Sequence, residues 1–246
     1  MIEFQQVSKQ YDTTLALKGL NLTIENGEIG HNGAGKTTTI SLLTSIIEAT
    51  SGQIFVDGMN LAEHRNDIKK KIAYVPDSPD IFLNLTADEY WHFLVQIYDV
   101  DKAVAEQRID QLTKLFDIAD RKYETIDSFS HGMRQKVIII GALVPNPDIW
   151  ILDEPLTGLD PQASFDLKEM MRKHAESGRT ILFSTHILSV AEQLCDRIGI
   201  LKKGELIFIG TLEKLRQAYP DQNLETIYLQ LIARHDEDVP QESAGE

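Results

Sequence analysis

Apolar residues recur along the chain with two periods, and the switches between them mark an alternating order of strands and helices. Ile2, Phe4 and Val7, then Leu20, Leu22 and Ile24, alternate as in strands with one buried face. Lys9-Gln10-Tyr11-Asp12 between them reads as a turn carrying one aromatic ring. Further on, Ile40, Leu43, Ile46 and Ile47 share a face at helical spacing, in a helix that Thr50-Ser51-Gly52 ends. Residues 53–56 form a short strand before the turn Asp57-Gly58, and Ile72-Ala73-Tyr74-Val75 is a buried strand stopped by Pro76.

From about residue 81 the pattern becomes helical. Thr86-Ala87-Asp88-Glu89 is a capping box, a Thr hydroxyl and a Glu carboxylate each satisfying an orphan amide at a helix start. It opens a helix with Trp91, Leu94, Val95 and Tyr98 on one face, and a second helix over 102–116 carries Ile109, Leu112 and Phe116. After Pro145-Asn146-Pro147 the strand–helix alternation resumes with Ile149-Trp150-Ile151-Leu152. Pro161 suits the first turn of a helix capped by Asp160, and Ser177-Gly178 suits its end. Residues 180–183 are another apolar strand, delivering Ser184-Thr185-His186 at its exit. Two strands flank Lys202-Lys203-Gly204-Glu205 as a hairpin, a helix covers about 224–232, and an acidic, mobile tail is expected from His235 onward. No internal repeat occurs. The pattern predicts an α/β fold with a helical subdomain, residues 81–144, inserted into a core of 1–80 and 145–220, followed by a C-terminal helix and tail, 221–246.

Composition narrows the class. Of 246 residues, 42% are hydrophobic and 25% charged, enough for a large core. The net charge of −14 argues against a surface that wraps nucleic acid, which needs clustered Lys and Arg. One cysteine, Cys195, permits no internal disulfide, fits a reducing compartment and reads as a buried apolar residue. The first residues have no basic start followed by an apolar core, so no signal peptide is expected, and no apolar run approaches the roughly twenty residues that span a bilayer.

The chemistry centres on Gly30-His31-Asn32-Gly33-Ala34-Gly35-Lys36-Thr37, which fits the phosphate-binding pattern of G, four residues, GK[ST] called Walker A. Its glycines let backbone N–H groups turn toward anionic oxygens, Lys36 adds a point charge, and the next helix offers the positive end of its dipole. Thr37 is placed to hold Mg²⁺ through its hydroxyl. Asp153, ending an apolar strand, supplies a second Mg²⁺ ligand in the manner of Walker B, and Glu154 is placed to polarise an attacking water. The strand feeding the loop is an anomaly. Glu28-Ile29 spans roughly 7 Å at about 3.3 Å per residue, too little for a central strand. A few apolar residues are therefore expected to be missing between Glu28 and Gly30. The alternative is a true deletion that leaves the cradle poorly positioned.

This set resembles the ATP-binding subunits of ABC transporters, over nearly the whole chain. Phe129-Ser130-His131-Gly132-Met133-Arg134-Gln135-Lys136 is similar to the family signature LSGGQ. Ser130 and Gly132 match it, whereas Phe129, His131 and Met133 depart, in a variant like that of prokaryotic drug and ABC-2-type exporters. The resemblance implies a P-loop NTPase fold, RecA-like with a mainly parallel sheet, an N-terminal antiparallel β subdomain and the inserted helical one. It implies ATP and Mg²⁺ as ligands, with ATP held by Asn32, Gly33, Ala34, Gly35, Lys36, Thr37 and Thr38. Tyr11 corresponds to the aromatic that stacks on adenine and His186 to the switch histidine. Asp160 lies in the loop that crosses a dimer interface, and Ser130 and Gly132 close on ATP of the other subunit. Where the family usually has glutamine after the strand ending Val75-Pro76, this chain has Asp77, which leaves the metal role of that position open.

The expected partners are a second ATPase subunit, identical or not, and a separate transmembrane permease, with no nucleic acid. The location implied is cytoplasmic, on the inner face of the cell membrane through the permease. The expected function is ATP hydrolysis driving transport, in the direction of export. A soluble ATPase of this class acting on a ribosomal or nucleic-acid partner, or a nucleotide-binding regulatory module without turnover, are the alternatives.

Overall fold

The structure, a computed structural model, describes residues 1–26, 29–32 and 36–238. Strands β1 (Ile2–Tyr11) and β2 (Thr14–Ile24) pair antiparallel, and β4 (Ser51–Val56) joins β1 from its other side with β5 (Met59–Asn60) at the edge. The order of this sheet is β2-β1-β4-β5. The alternation of Ile2, Phe4 and Val7 is the inward face, each of these side chains being buried.

Six further strands form the second sheet: β3 (Ile29–Asn32), β6 (Ile72–Val75), β7 (Ile149–Asp153), β8 (Thr180–Ser184), β9 (Arg197–Lys202) and β10 (Glu205–Thr211), in the order β10-β9-β3-β8-β7-β6. It is parallel except for the β9–β10 hairpin. Lys203 and Gly204 both have positive φ at the hairpin turn, the geometry that matches the twist of the paired strands.

Every residue of β7 is buried, as a parallel strand covered on both faces requires. Alternate residues serve two cores. Trp150 and Leu152 pack with the buried residues of α3 (Ala87–Ile97), α4 (Lys102–Leu115), α5 (His131–Leu143) and α6 (Pro161–Glu176), while Ile149 and Ile151 pack with α1 (Lys36–Leu43) and the antiparallel sheet. Helix α3 opens with the full capping box of Thr86 and Glu89. The short α2 (Arg65–Lys69), α7 (Leu188–Leu194), α8 (Leu212–Ala218) and the C-terminal α9 (Leu224–Asp238) complete the described fold. No helix among the described residues is long and apolar enough to cross a membrane.

Four expectations change, the simplest being that Lys9, Gln10 and Tyr11, read as a turn, end strand β1; the other three concern the central strand and two helices. The sheet takes its central strand from Ile29, Gly30, His31 and Asn32, so three residues read as loop are strand. Gly30, His31 and Asn32 align with Leu182, Phe183 and Ser184 of β8 on one side and Arg197, Ile198 and Gly199 of β9 on the other. Two neighbouring strands offer backbone hydrogen bonds at that position, and their demand outweighs the poor strand propensity of Gly and Asn. Second, the first helix stops at Leu43 because Ser45 takes a left-handed backbone, φ 54°, which leaves Ile46 61% exposed instead of on the buried face. Third, the last helix runs past His235 to Asp238, and the rest of the expected tail lies outside the described residues.

Candidate functional site

In a parallel sheet the C-terminal strand ends face one edge, and loops leaving that edge collect the side chains that meet a ligand. Asp153 is the last residue of β7 and is paired in register with Ser184, the last of β8. The Ser184 hydroxyl donates to Asp153 Oδ1. It also accepts a hydrogen bond from the Glu154 amide at 3.1 Å.

Glu154 follows with φ 47°, a left-handed conformation that costs a side-chain-bearing residue energy and turns the carboxylate across the strand ends. Its Oε1 accepts from Lys36 Nζ at 2.9 Å, and its Oε2 meets the His186 amide at 3.2 Å and His186 Nδ1 at 2.9 Å. Residues 36, 154 and 186, distant in sequence, are thus joined through one carboxylate.

The two acids differ electrically. Burial raises the Asp153 carboxyl pKa, the Ser184 hydrogen bond opposes this, and the charges of Asp77 and Glu154 add to the rise. Burial acts in the same sense on Glu154, but the hydrogen bond and charge of Lys36 and the bonds from His186 outweigh it, and its pKa falls below the ordinary value. Glu154 is therefore an ionised acceptor, whereas the Asp153 pKa stays raised by burial even with the Ser184 hydrogen bond and the Lys36 charge opposing it.

Asp77, exposed just beyond β6 and Pro76, lies within electrostatic reach of Asp153. Thr37 and Thr38 lie in the first turn of α1, next to Lys36. Among the described residues no three acid, histidine or cysteine side chains converge on a ready-made metal cage. A buried carboxylate at the end of β7, with threonines in the first turn of α1 next to Lys36, nevertheless suits a hard divalent cation whose remaining ligands are phosphate and water. Asn32 ends β3, while Gly33, Ala34 and Gly35 lie outside the described residues. Just those three residues connect the last strand residue to Lys36, the first of α1.

The signature residues form a second cluster. Ser130 caps α5 by accepting from the Met133 amide. Gly132 runs so close to the Gly158 carbonyl that a Cβ on it would sit 2.3 Å from that oxygen, so only glycine fits. Asp160 caps α6 through the Ala163 amide at 2.9 Å and pairs with Lys136 at 2.6 Å. These bonds, the Ala163 amide first, hold its pKa below the ordinary value. The cluster bonds to itself and not to Lys36, Glu154 or His186. Tyr11 ends β1, 44% exposed, with Lys9 Nζ 5.1 Å from its ring centroid.

Sequence reasoning assigned no role to Ser184 or Lys136. Ser184 had one available signal: it ends the strand next to the one ending in Asp153, where parallel register sets their side chains together. The Lys136–Asp160 pair joins two helices and leaves no local pattern.

Comparison with known proteins fits this arrangement. A family model described as "ABC transporter" matches residues 17–157. The ABC transporter ATP-binding protein NatA of Bacillus subtilis (strain 168) is 34% identical over 224 residues, 89% of this chain and 91% of that protein. A solved structure of an ATP-binding subunit of an ABC transporter superposes with a TM-score of 0.90 at 32% identity, covering 94% of this chain and 99% of the other. A dimeric, post-hydrolysis structure of the ATP-binding cassette MJ0796 bound to ADP and Pi gives 0.77 at 26% identity, covering 86% and 99%.

Proposed function

The chain belongs to the ABC transporter family and is an ATP-binding ATPase subunit, and from that premise we propose that it works as a pair of ATPase subunits closing around two ATP molecules to drive export through a separate membrane permease. The observation that carries this reading is the meeting of Lys36, Glu154 and His186 at one strand edge. Lys36 gives up Glu154 when the triphosphate arrives, because phosphate oxygens offer it a stronger, more highly charged partner. Glu154, released on that side and still held by His186, accepts the proton of a water attacking the γ-phosphorus as the bond to the bridging β–γ oxygen breaks. Asp153, Thr37 and Asp77 are the residues that would hold Mg²⁺, which supplies charge neutralisation to the phosphates.

Ser130 and Gly132 stand at the start of α5, and Lys136 ties them to Asp160 at the start of α6. Since this group makes no bond to its own chain's Lys36 or Glu154, its fitting ligand is ATP held by a second subunit; the MJ0796 cassette, which this chain resembles, has been solved as a dimer. Tyr11 supplies a ring for adenine. The permease contact falls on a cleft of about 600 Å³ between Ile46, Tyr74, Leu94, Ile97 and Tyr98. Ile46, Ile97, Phe82 and Phe93 are exposed apolar side chains of this region, which with residues 76–86 suits a helix presented by the membrane protein on the cytoplasmic side. Export is the direction favoured by the signature variant.

The test is Glu154→Gln. It removes the base and keeps the shape, so hydrolysis should fall by about 10²–10⁴-fold while ATP drives a stable dimer visible by light scattering. Normal turnover, or a monomer at saturating ATP, sinks the reading.

A further inference from the structure

The carboxylate that meets Lys36 and His186 stands on a backbone that does not favour it. Glu154 has φ 47°, and the residue after it is Pro155. A left-handed backbone is unfavourable for a residue with a side chain, and a following proline pushes that residue toward extended conformations instead. The surroundings must therefore over-determine the turn. Two bonds hold Glu154 itself: its amide donates to Ser184 Oγ at 3.1 Å, and its carbonyl accepts from the Thr157 amide at 3.1 Å. Pro155 has no N–H, so its carbonyl is the backbone group by which that residue can be held. Gln135 Nε2 donates to this carbonyl at 3.4 Å.

Gln135 lies in α5 between two residues whose side chains are tied down. Arg134 Nη1 pairs with Asp80 at 2.7 Å, and its Nε and Nη2 donate to the carbonyls of Ile126 and Asp127 at 3.2 and 2.6 Å. Lys136 pairs with Asp160 at 2.6 Å. Two residues beyond Gln135, the Val137 carbonyl accepts from the Trp91 indole N–H at 2.9 Å. The Gln135 amide is thus presented from a fixed platform. It is 1% exposed, and its Oε1 has no hydrogen-bond partner among the described residues. A buried amide with a bare acceptor is less stable than an apolar side chain of the same size, and one bond of 3.4 Å, at the long end of the range, offsets little of that. Stability is therefore not what Gln135 supplies. What it supplies is direction, at the carbonyl one residue beyond Glu154.

We propose that Gln135 is a positioning residue for ATP hydrolysis: by holding the Pro155 carbonyl it fixes the left-handed turn at Glu154 in the orientation that aims the carboxylate across the strand ends. Gln135 touches no reacting atom and acts only through Glu154, so the inference rests on Glu154 being the base. The three bonds at residues 154 and 155 divide the task. Ser184 sets the start of the turn, the Thr157 amide closes it, and Gln135 sets the plane of the peptide that follows the proline ring.

Gln135→Leu removes the donor at nearly constant volume. The kcat for ATP should fall about tenfold or more, a displacement of about 1 Å at a reacting group being worth up to about a hundredfold. KM, the Kd for a fluorescent ATP analogue and Tm should change little, since one unpaired acceptor, Gln135 Oε1, is exchanged for another, the Pro155 carbonyl. Gln135→Met, which keeps the side-chain length without the N–H, should behave alike. The discriminating measurement is a cycle with Glu154→Gln. Once the base is gone there is nothing left to position, so Gln135→Leu should lower the residual single-turnover rate of Glu154→Gln by less than about twofold. Equal fold losses in the two backgrounds overturn the proposal, as does an unchanged kcat in both Gln135→Leu and Gln135→Met. A fall in kcat matched by weaker ATP binding and a lower Tm overturns it too, leaving Gln135 as support for the fold. If Glu154→Gln alone turns over normally, the assignment of the base fails and this proposal with it; a slow Glu154→Gln beside a normal Gln135→Leu removes the positioning role and leaves the base in place.

Discussion

Asp153 and His174 show what single residues cost and supply. Asp153 carries a buried charge whose surroundings favour its protonated form. Asp153→Asn keeps the shape and an acceptor for Ser184 while removing that charge. The expected outcome is a more thermostable but inactive protein, its Tm in nucleotide-free solution higher by about 2–4 °C for each kcal/mol relieved, read by calorimetry beside an ATPase assay. A Tm that falls would show that the charge is already compensated. His174 gives a pH effect. Its folded pKa, about 4, lies below the ordinary 6.5, so between those values the unfolded chain binds more protons than the folded one and stability falls as pH falls. His174→Phe, which keeps a ring stacked on Trp150, should flatten that slope in urea midpoints measured from pH 7 to pH 4. Asp153 and Glu154 were legible in sequence because an apolar run ended in two acids. Nothing local announced the Trp150–His174 stack, since its members lie on a strand and a helix and meet only on folding.

At the level of elements, legibility depended on how much the surroundings overruled local preference. Strands β6, β7 and β8 were readable as short apolar runs between turn signals, and α3 was readable from its capping box. Strand β3 was not, because three of its four residues are drawn from a glycine-rich motif. The sheet takes its four-residue central strand from Ile29 and the first three motif residues. Inserting about four apolar residues between Ile29 and Gly30 restores an ordinary strand length and returns Gly30, His31 and Asn32 to the loop. ATP affinity should then rise by about tenfold or more, one added charge-assisted hydrogen bond being enough for that. Titration of a fluorescent ATP analogue checks this, and unchanged affinity would mean that the three-residue connection already cradles phosphate fully. Helix α1 misled in the other direction: Ile46 and Ile47 continue the spacing of Ile40 and Leu43, but the left-handed Ser45 ends the helix before them.

For the whole molecule, a net charge of −14 sets a long-range repulsion between two copies and between each copy and ATP. Pairing of the Glu154→Gln chain in ATP should therefore tighten as ionic strength is raised from about 10 mM to about 100 mM, over which the screening length shrinks from about 30 to about 10 Å. Sedimentation velocity measures this. Weaker pairing in salt would mean that local contacts such as those of the signature cluster dominate instead. The sheet order carries one more consequence. Among the described residues, strand β3, four residues long, carries the backbone pairing between the β9–β10 hairpin and β8, β7 and β6. The sheet is in effect two leaves stitched along a short seam, and the phosphate-binding loop begins where the stitching stops. A nucleotide held at the end of β3 would fasten the leaves as it binds, making the substrate a rivet as well.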